Sequence, residues 1–256
     1  MSDWNPDKYL MFKKQRTQPA IDLADRLCAL EPATVADIGC GPGNSTAVLK
    51  RTFPNARIVG VDSSEAMIEK AKTTYPDMEF SVCAAQEISG KYDLLFSNAC
   101  LQWIEDHESL IPFLMSRLND GGVLAVQIPM NRTEPLFSAI SEVAADPKWH
   151  FSDVIFEKND VLRPEEYFEV LSKCADRFDI WETVYYHIMP SRESLLDWVR
   201  STRLRPYLEA LDEDGKAEFE NEIMKKAEKF YPFTSTGEVI FRFRRLFFTA
   251  FNRKSR

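Results

Sequence analysis

Apolar positions along the 256-residue chain repeat with two different periods, and the stretches governed by each alternate. Apolar runs of strand length end near Asp37, at RIVGVD (57–62), MEFSVC (78–83), YDLLFSN (92–98) and VLAVQIP (123–129). Between them, apolar residues recur at helical spacing: Ala47, Val48, Leu49 and Phe53 before Pro54, then Met67, Ile68, Ala71 and Tyr75, then Leu110, Phe113, Leu114 and Leu118. CAAQEIS (83–89) reads as a loop and NDGG (119–122) as a turn. Upstream, Tyr9, Phe12, Ile21, Leu23, Leu27 and Leu30 fit two short helices divided at Pro19, since proline is best placed in a helix's first turn.

The alternation breaks after Pro129. Residues 131–165 predict a loop or short helices, and a connection of that length is usually functional. YFEVLSKCA predicts a helix, FDIWETVYYHIM a long strand, SRESLLDWVRS and AEFENEIMKKAEKFY helices, and EVIFRFRRLFFTAF a final strand. With no internal repeat and no low-complexity linker, the pattern predicts one α/β domain with a helical cap inserted between late strands.

In a parallel sheet with right-handed crossovers, ligands bind at the carboxyl ends of the strands, where Asp37, Asp62, the loop 84–86 and Asn98 all fall. The first of these ends is VADIGCGPGNST (35–46), which passes from a strand through Gly39, Gly41 and Gly43 into a helix N-terminus. Dinucleotide folds place pyrophosphate on such a turn. Here Asp37 precedes the glycines, and its carboxylate repels pyrophosphate but suits a cationic ligand such as S-adenosylmethionine. Asp62, about 20 residues past the glycines, has the spacing for accepting both ribose hydroxyls, or it caps the helix that begins near Ser64. Met67 reads as core or as cover for an adenine face. Arg16 is either a solvated charge or reaches over the ligand.

Composition narrows the classes. A formal net charge of -8 gives nothing that attracts nucleic acid or an anionic membrane globally. The five cysteines show neither a CxxC pair nor a zinc spacing, so reduced, mostly buried thiols and no metal are expected. No signal-peptide core and no spanning run is evident, which predicts a cytoplasmic protein.

DIGCGPGNST, VGVDSSEAMIEKA, SNACLQWIEDH and GGVLAVQIP resemble the class I S-adenosylmethionine-dependent methyltransferases. The opening SDWNPDKYLMFKKQRTQPAIDL, IWETVYYHIMPSRESLLDWV and LRPYL resemble the branch of that family that esterifies small polycarboxylic acids, trans-aconitate above all. The resemblance implies a Rossmann-like, doubly wound, mostly parallel seven-stranded sheet with an antiparallel last strand. It implies a helical lid over residues 1–30, a donor-binding core over 31–130, a substrate cap with late sheet elements over 131–235 and the last strand over 236–256, all in one methyltransferase domain. Asp37, Gly39 and Gly41 would hold the methionine end, Asp62 and Ser63 the ribose, and Met67, Ala85 and Gln86 the adenine. Asn98 would line the floor near the transferred methyl, with Tyr9 and Arg16 closing over the donor and Trp103 beside it, toward the acceptor. On the acceptor side the matched positions are Tyr185, Tyr186, His187, Trp198, Arg205 and Arg245, with His107 nearby.

Departures from the family pattern bear on the acid. Ala84 replaces a common aspartate before the adenine loop, PMN and EPLF replace PDN and EPTH, and Arg203 stands where glycine is frequent. A carboxylate acceptor is already ionised at neutral pH, so no general base is expected, and the reaction reduces to positioning. Arginines bind carboxylates in pairs, which singles out Arg200, Arg203 and Arg205 and the run Arg242, Arg244, Arg245. A more apolar or acyl-chain acid, and a non-catalytic protein that binds S-adenosylmethionine, remain open alternatives at this stage.

Overall fold

The structure, a computed structural model, describes residues 12–153, 161–200 and 202–253. Its strands are β1 (Thr34–Ile38), β2 (Arg57–Asp62), β3 (Glu79–Val82), β4 (Tyr92–Asn98), β5 (Leu118–Pro129), β6 (Arg177–Met189) and β7 (Val239–Phe251). They form a seven-stranded sheet in the order β3-β2-β1-β4-β5-β7-β6. The pairs β1 with β2, β1 with β4, β2 with β3 and β4 with β5 are parallel, and β7 lies antiparallel to β5. The reversal of order at β1 and β4 is a topological switch point, where such sheets open a crevice for ligands.

The helices are α1 (Lys13–Arg26), α2 (Asn44–Thr52), α3 (Glu65–Thr74), α4 (His107–Ser116), α5 (Pro135–Ala144), α6 (Pro164–Cys174), α7 (Glu193–Arg200), α8 (Arg205–Glu209) and α9 (Glu213–Ala227). The chain divides into two compact units. Among the described residues, one comprises 12–15, 130–153, 184–200 and 202–244; the other comprises 16–129, 161–183 and 245–253. In the larger unit the apolar faces of β1, β4 and β5 form the core, with Leu94, Leu95, Phe96, Leu124, Ala125 and Val126 wholly buried. In the other unit, α5, α7 and α9 turn Ile140, Leu195, Val199, Phe219 and Ile223 onto a single core with Phe241 and Phe243 of β7. No helix among the described residues is long and apolar enough to cross a membrane.

Two local expectations are corrected. The helix before β1 is continuous from Lys13 to Arg26 with Pro19 inside it. Proline costs that helix one backbone hydrogen bond, and burial of Ala20, Leu23 and Ala24 on the following turns holds it together. NDGG does not end an element but lies inside β5: the register jumps from Tyr92↔Leu118 to Leu94↔Val123, so residues 119–122 bulge out while pairing resumes. Residues 131–165 hold short helices, as expected: the ten-residue α5, which Pro135 starts and the Glu134 carboxylate caps by accepting from the Leu136 N–H, and two 3-10 turns after it. All five cysteines are free thiols, and only Cys40 is fully buried.

Candidate functional site

The sheet register places the polar candidates together. Asp37 pairs with Gly60 and Phe96, Asn98 with Gln127, Gln127 with Phe247 and Pro129 with Arg245. Paired residues share a face and so do residues two apart, so Asp62, Asp37, Asn98, Gln127 and Arg245 project from one face at the carboxyl ends of β2, β1, β4 and β5. Asn98 and Arg245 lie two strands apart and two residues out of register, which at about 4.8 Å between strands and about 3.3 Å per residue sets their backbones about 12 Å apart.

Asp37 is wholly buried. Its Oδ2 accepts from the hydroxyls of Ser45 at 2.6 Å and Thr46 at 2.7 Å, both in the first turn of α2, while Oδ1 has no partner among the described residues. Burial pushes its carboxyl up to about 6, against the pull of those two hydroxyls. Asn98 Oδ1 is likewise buried without a partner among the described residues. Two unpartnered oxygen acceptors on adjacent strands are an environment that a cationic donor group completes.

The glycine loop is held by its own backbone. The N–H groups of Gly39 and Cys40 donate to the Val61 carbonyl at 2.8 and 3.0 Å, and Gly41 N–H donates to Asp62 Oδ2 at 2.9 Å. Asp62 Oδ1 accepts from Ser64 N–H at 2.9 Å, and Ser64 in turn caps α3. Asp62 therefore orders the loop and the helix start through one lone pair on each oxygen, leaving the others for hydroxyl donors. Gly41 has φ +53, and nothing lies within 4 Å of where a side chain would start, so a ligand can approach the backbone closely there.

The remaining donor-side candidates lie around these strand ends. Ser63 and Met67 are exposed at the β2–α3 corner, Ala85 is buried and Gln86 exposed in a 3-10 turn after β3, and Trp103 is 45% exposed in another 3-10 turn after β4. Arg16 is half-buried on α1, and Tyr9 lies outside the described residues.

The acceptor candidates separate. Arg245 is 4% exposed and donates to Gln127 Oε1 at 3.2 Å. His187 is buried, stacked on Trp198 at 4.9 Å between ring centroids, with Phe12 meeting Trp198 edge-on at 5.0 Å. Tyr186, next along β6, faces the opposite way and is 65% exposed, as strand alternation requires. Arg205 is exposed and pairs with Glu209 one turn on. Arg200 is held by Glu193, Asp197 and Glu220, which makes it a structural cation. His107 is 1% exposed and bonded on both ring nitrogens, so it is a buried brace.

Sequence reasoning missed Ser45, Thr46 and Gln127. Gln127 had a signal, being the single polar residue in the apolar run VLAVQIP. The two hydroxyls had none beyond their place at a helix start.

Residues 35–122 match a family model described as a methyltransferase domain. A trans-aconitate 2-methyltransferase of Escherichia coli (strain K12 / DH10B) is 42% identical over 253 residues, covering 98% of this chain and 98% of that protein. The chain belongs to the trans-aconitate 2-methyltransferase family. Another member, from Yersinia pestis (strain Pestoides F), is 40% identical over 254 residues, again covering 98% of each. Solved structures share the fold at lower identity. The YcgJ protein of Bacillus subtilis superposes with a TM-score of 0.61 at 11% identity, over 93% of this chain and 100% of that one. Phosphoethanolamine N-methyltransferase 2 of Haemonchus contortus, solved in complex with S-adenosyl-L-methionine, gives 0.56 at 17% identity, over 93% and 53%. The sheet order and the antiparallel last strand are those of the class I methyltransferases, and this family member is a methyltransferase.

Proposed function

We propose that the protein transfers the methyl group of S-adenosylmethionine to a carboxylate of trans-aconitate, forming the methyl ester. The observation that carries this reading is 42% identity, along nearly the full length of both chains, to proteins named for that reaction. The polar face at the strand ends supports it. Asp37 and Asn98 bring unpartnered oxygen acceptors to the side of a cationic donor, Asp62 brings free lone pairs to a ribose, and Gly41 leaves room for the methionine end. When bound, S-adenosylmethionine supplies an electrophilic methyl group.

The protein's own part is positioning. A carboxylate nucleophile needs no base, so no residue is assigned a proton to move. Arg245, buried midway along β7 opposite Pro129 at the end of β5 and oriented by Gln127, is our candidate for the acid, because a planar guanidinium binds carboxylate in a fixed orientation. An acceptor oxygen held in line about 3 Å from the methyl carbon gains most of the rate that proximity offers. The aromatic group of Trp198, His187 and Phe243 gives its own unit an apolar wall that excludes water. Five unbridged thiols suit a reducing compartment, and we place the reaction in the cytoplasm.

Calorimetry tests the reading in two steps. S-adenosylhomocysteine should bind the full chain with one site. Trans-aconitate should then bind that complex, while a long-chain fatty acid should not. Absence of the first signal refutes the donor, and preference for the fatty acid refutes the acceptor.

A further inference from the structure

The segment between β4 and α4 carries unusual backbone strain for a stretch without glycine. Ala99 has φ 54 and Asp106 φ 55, two of the three non-glycine residues with positive φ among those described. Strain of this kind persists only where the surroundings over-determine it. Ala99 N–H donates to the Gln127 carbonyl at 3.0 Å, and Gln102 Nε2 donates to the Ala99 carbonyl at 2.7 Å. The Leu101 carbonyl accepts twice, from Ile104 N–H at 2.9 Å and from His107 Nε2 at 2.8 Å.

That second bond fixes the histidine tautomer. With its Nε2 proton on Leu101, the His107 Nδ1 accepts from the Tyr167 hydroxyl at 2.6 Å. Tyr167 belongs to α6, is wholly buried and packs on Phe248 of β7 at 5.5 Å. A chain of buried contacts thus runs from β7 and α6 through His107 to the turn 99–104. The turn ends on the glycine loop: Cys100 Sγ and Cβ fill the space directly against Gly39, where no side chain fits.

We propose that His107 and Tyr167 are positioning residues for methyl transfer, which hold the turn 99–104 against Gly39 and thereby set the affinity of the donor site. This rests on the donor reading above. Neither residue touches the donor. They act through the Leu101 carbonyl, on a turn that follows Asn98 directly and carries Trp103 at its far end.

The test measures S-adenosylhomocysteine binding to full-length protein by calorimetry, with KM for S-adenosylmethionine and kcat alongside. His107→Leu should weaken binding about tenfold, the equivalent of one buried hydrogen bond. His107→Gln, whose amide N–H can replace the Nε2 donor to Leu101, should return to within about threefold of the parent. Tyr167→Phe keeps the ring against Phe248 and removes only the hydroxyl. It should raise KM for the donor more than it lowers kcat and should speed amide exchange over residues 99–104. That variant decides the matter where His107→Leu does not fold. Parent-like affinity in folded Tyr167→Phe and His107→Leu, with only the melting temperature lowered, overturns the proposal. A parent protein that does not bind S-adenosylhomocysteine removes the donor reading and this proposal together.

Discussion

Replacing Gly39 with alanine tests how tightly the glycine loop is built. Gly39 sits at φ +69, and a Cβ added there would fall inside the radii of both Sγ and Cβ of Cys100, while the Cys100 Cα at 3.6 Å is in ordinary contact. The left-handed backbone costs an alanine about 1–2 kcal/mol, and relieving the overlap costs about 1–3 kcal/mol more. Gly39→Ala should therefore lose about 2–5 kcal/mol, or about 5–15 °C in Tm for a chain of this size. The two contributions separate in a double-mutant cycle followed by urea unfolding. Cys100→Gly clears both clashing atoms and should recover about 1–3 kcal/mol in the Gly39→Ala background. Cys100→Ala leaves the offending Cβ and should recover little. A Gly39→Ala protein within about 0.5 kcal/mol of the parent, or equal rescue by the two Cys100 variants, would refute the contact as the reason for glycine.

Three further outcomes follow from the site. Burial holds the Asp37 carboxyl at about 6, above its unfolded value, so the native state binds that proton more tightly. Ligand-free stability should then fall as pH rises from about 4 through about 6, by at most about 3 kcal/mol, and level off above. Asp37→Asn should remove that part of the decline in urea titrations at pH 4.5 and 7.5 while weakening S-adenosylhomocysteine binding; an unchanged slope would show that Asp37 ionises freely. Glu134, pushed up to about 7 by burial against the bonds from Tyr231 and the Leu136 N–H, contributes a decline of the same sign that survives in this variant. Asp62→Ala should weaken the same ligand at least about tenfold, since it removes ribose acceptors and the Gly41 bond together, and calorimetry showing parent-like affinity would remove Asp62 from the donor site. Arg245→Met should raise the acceptor KM by about tenfold or more with little change for the donor, whereas exposed, Glu209-paired Arg205→Met should leave both constants alone; the reverse pattern would move the acid to α8.

Much of this architecture was legible because the carboxyl ends of parallel strands are where apolar runs stop and chemistry begins. Asp62 and Asn98 each end their runs, and Asp37 closes the first just before the glycines. Arg245 was legible too: in VIFRFRRLFFTAF it falls in step with Phe241, Phe243 and Phe247, on the buried face, while Arg242 falls on the other. Tyr186 and His187 could have been parted by the same alternation. The i,i+3 spacing of Asp197 and Arg200, and the i,i+4 spacing of Arg205 and Glu209, could likewise have warned that both arginines have carboxylates within reach. What stayed hidden depends on long-range closure. The Ser45 and Thr46 hydroxyls find Asp37 only once α2 has turned over β1, and His107 meets Tyr167 across 60 residues. Pro19 and NDGG misled because local breaker signals were overruled by tertiary burial in one case and by resumed strand pairing in the other.

Carboxylate methylation is decided by following radiolabelled methyl from S-adenosylmethionine into acid products, with trans-aconitate, malonate and a long-chain fatty acid compared at equal concentration. Label is expected in trans-aconitate far above the other two, in a product that mild base hydrolyses to labelled methanol, as a methyl ester must. Label that survives base, or that enters the fatty acid in preference, would contradict it.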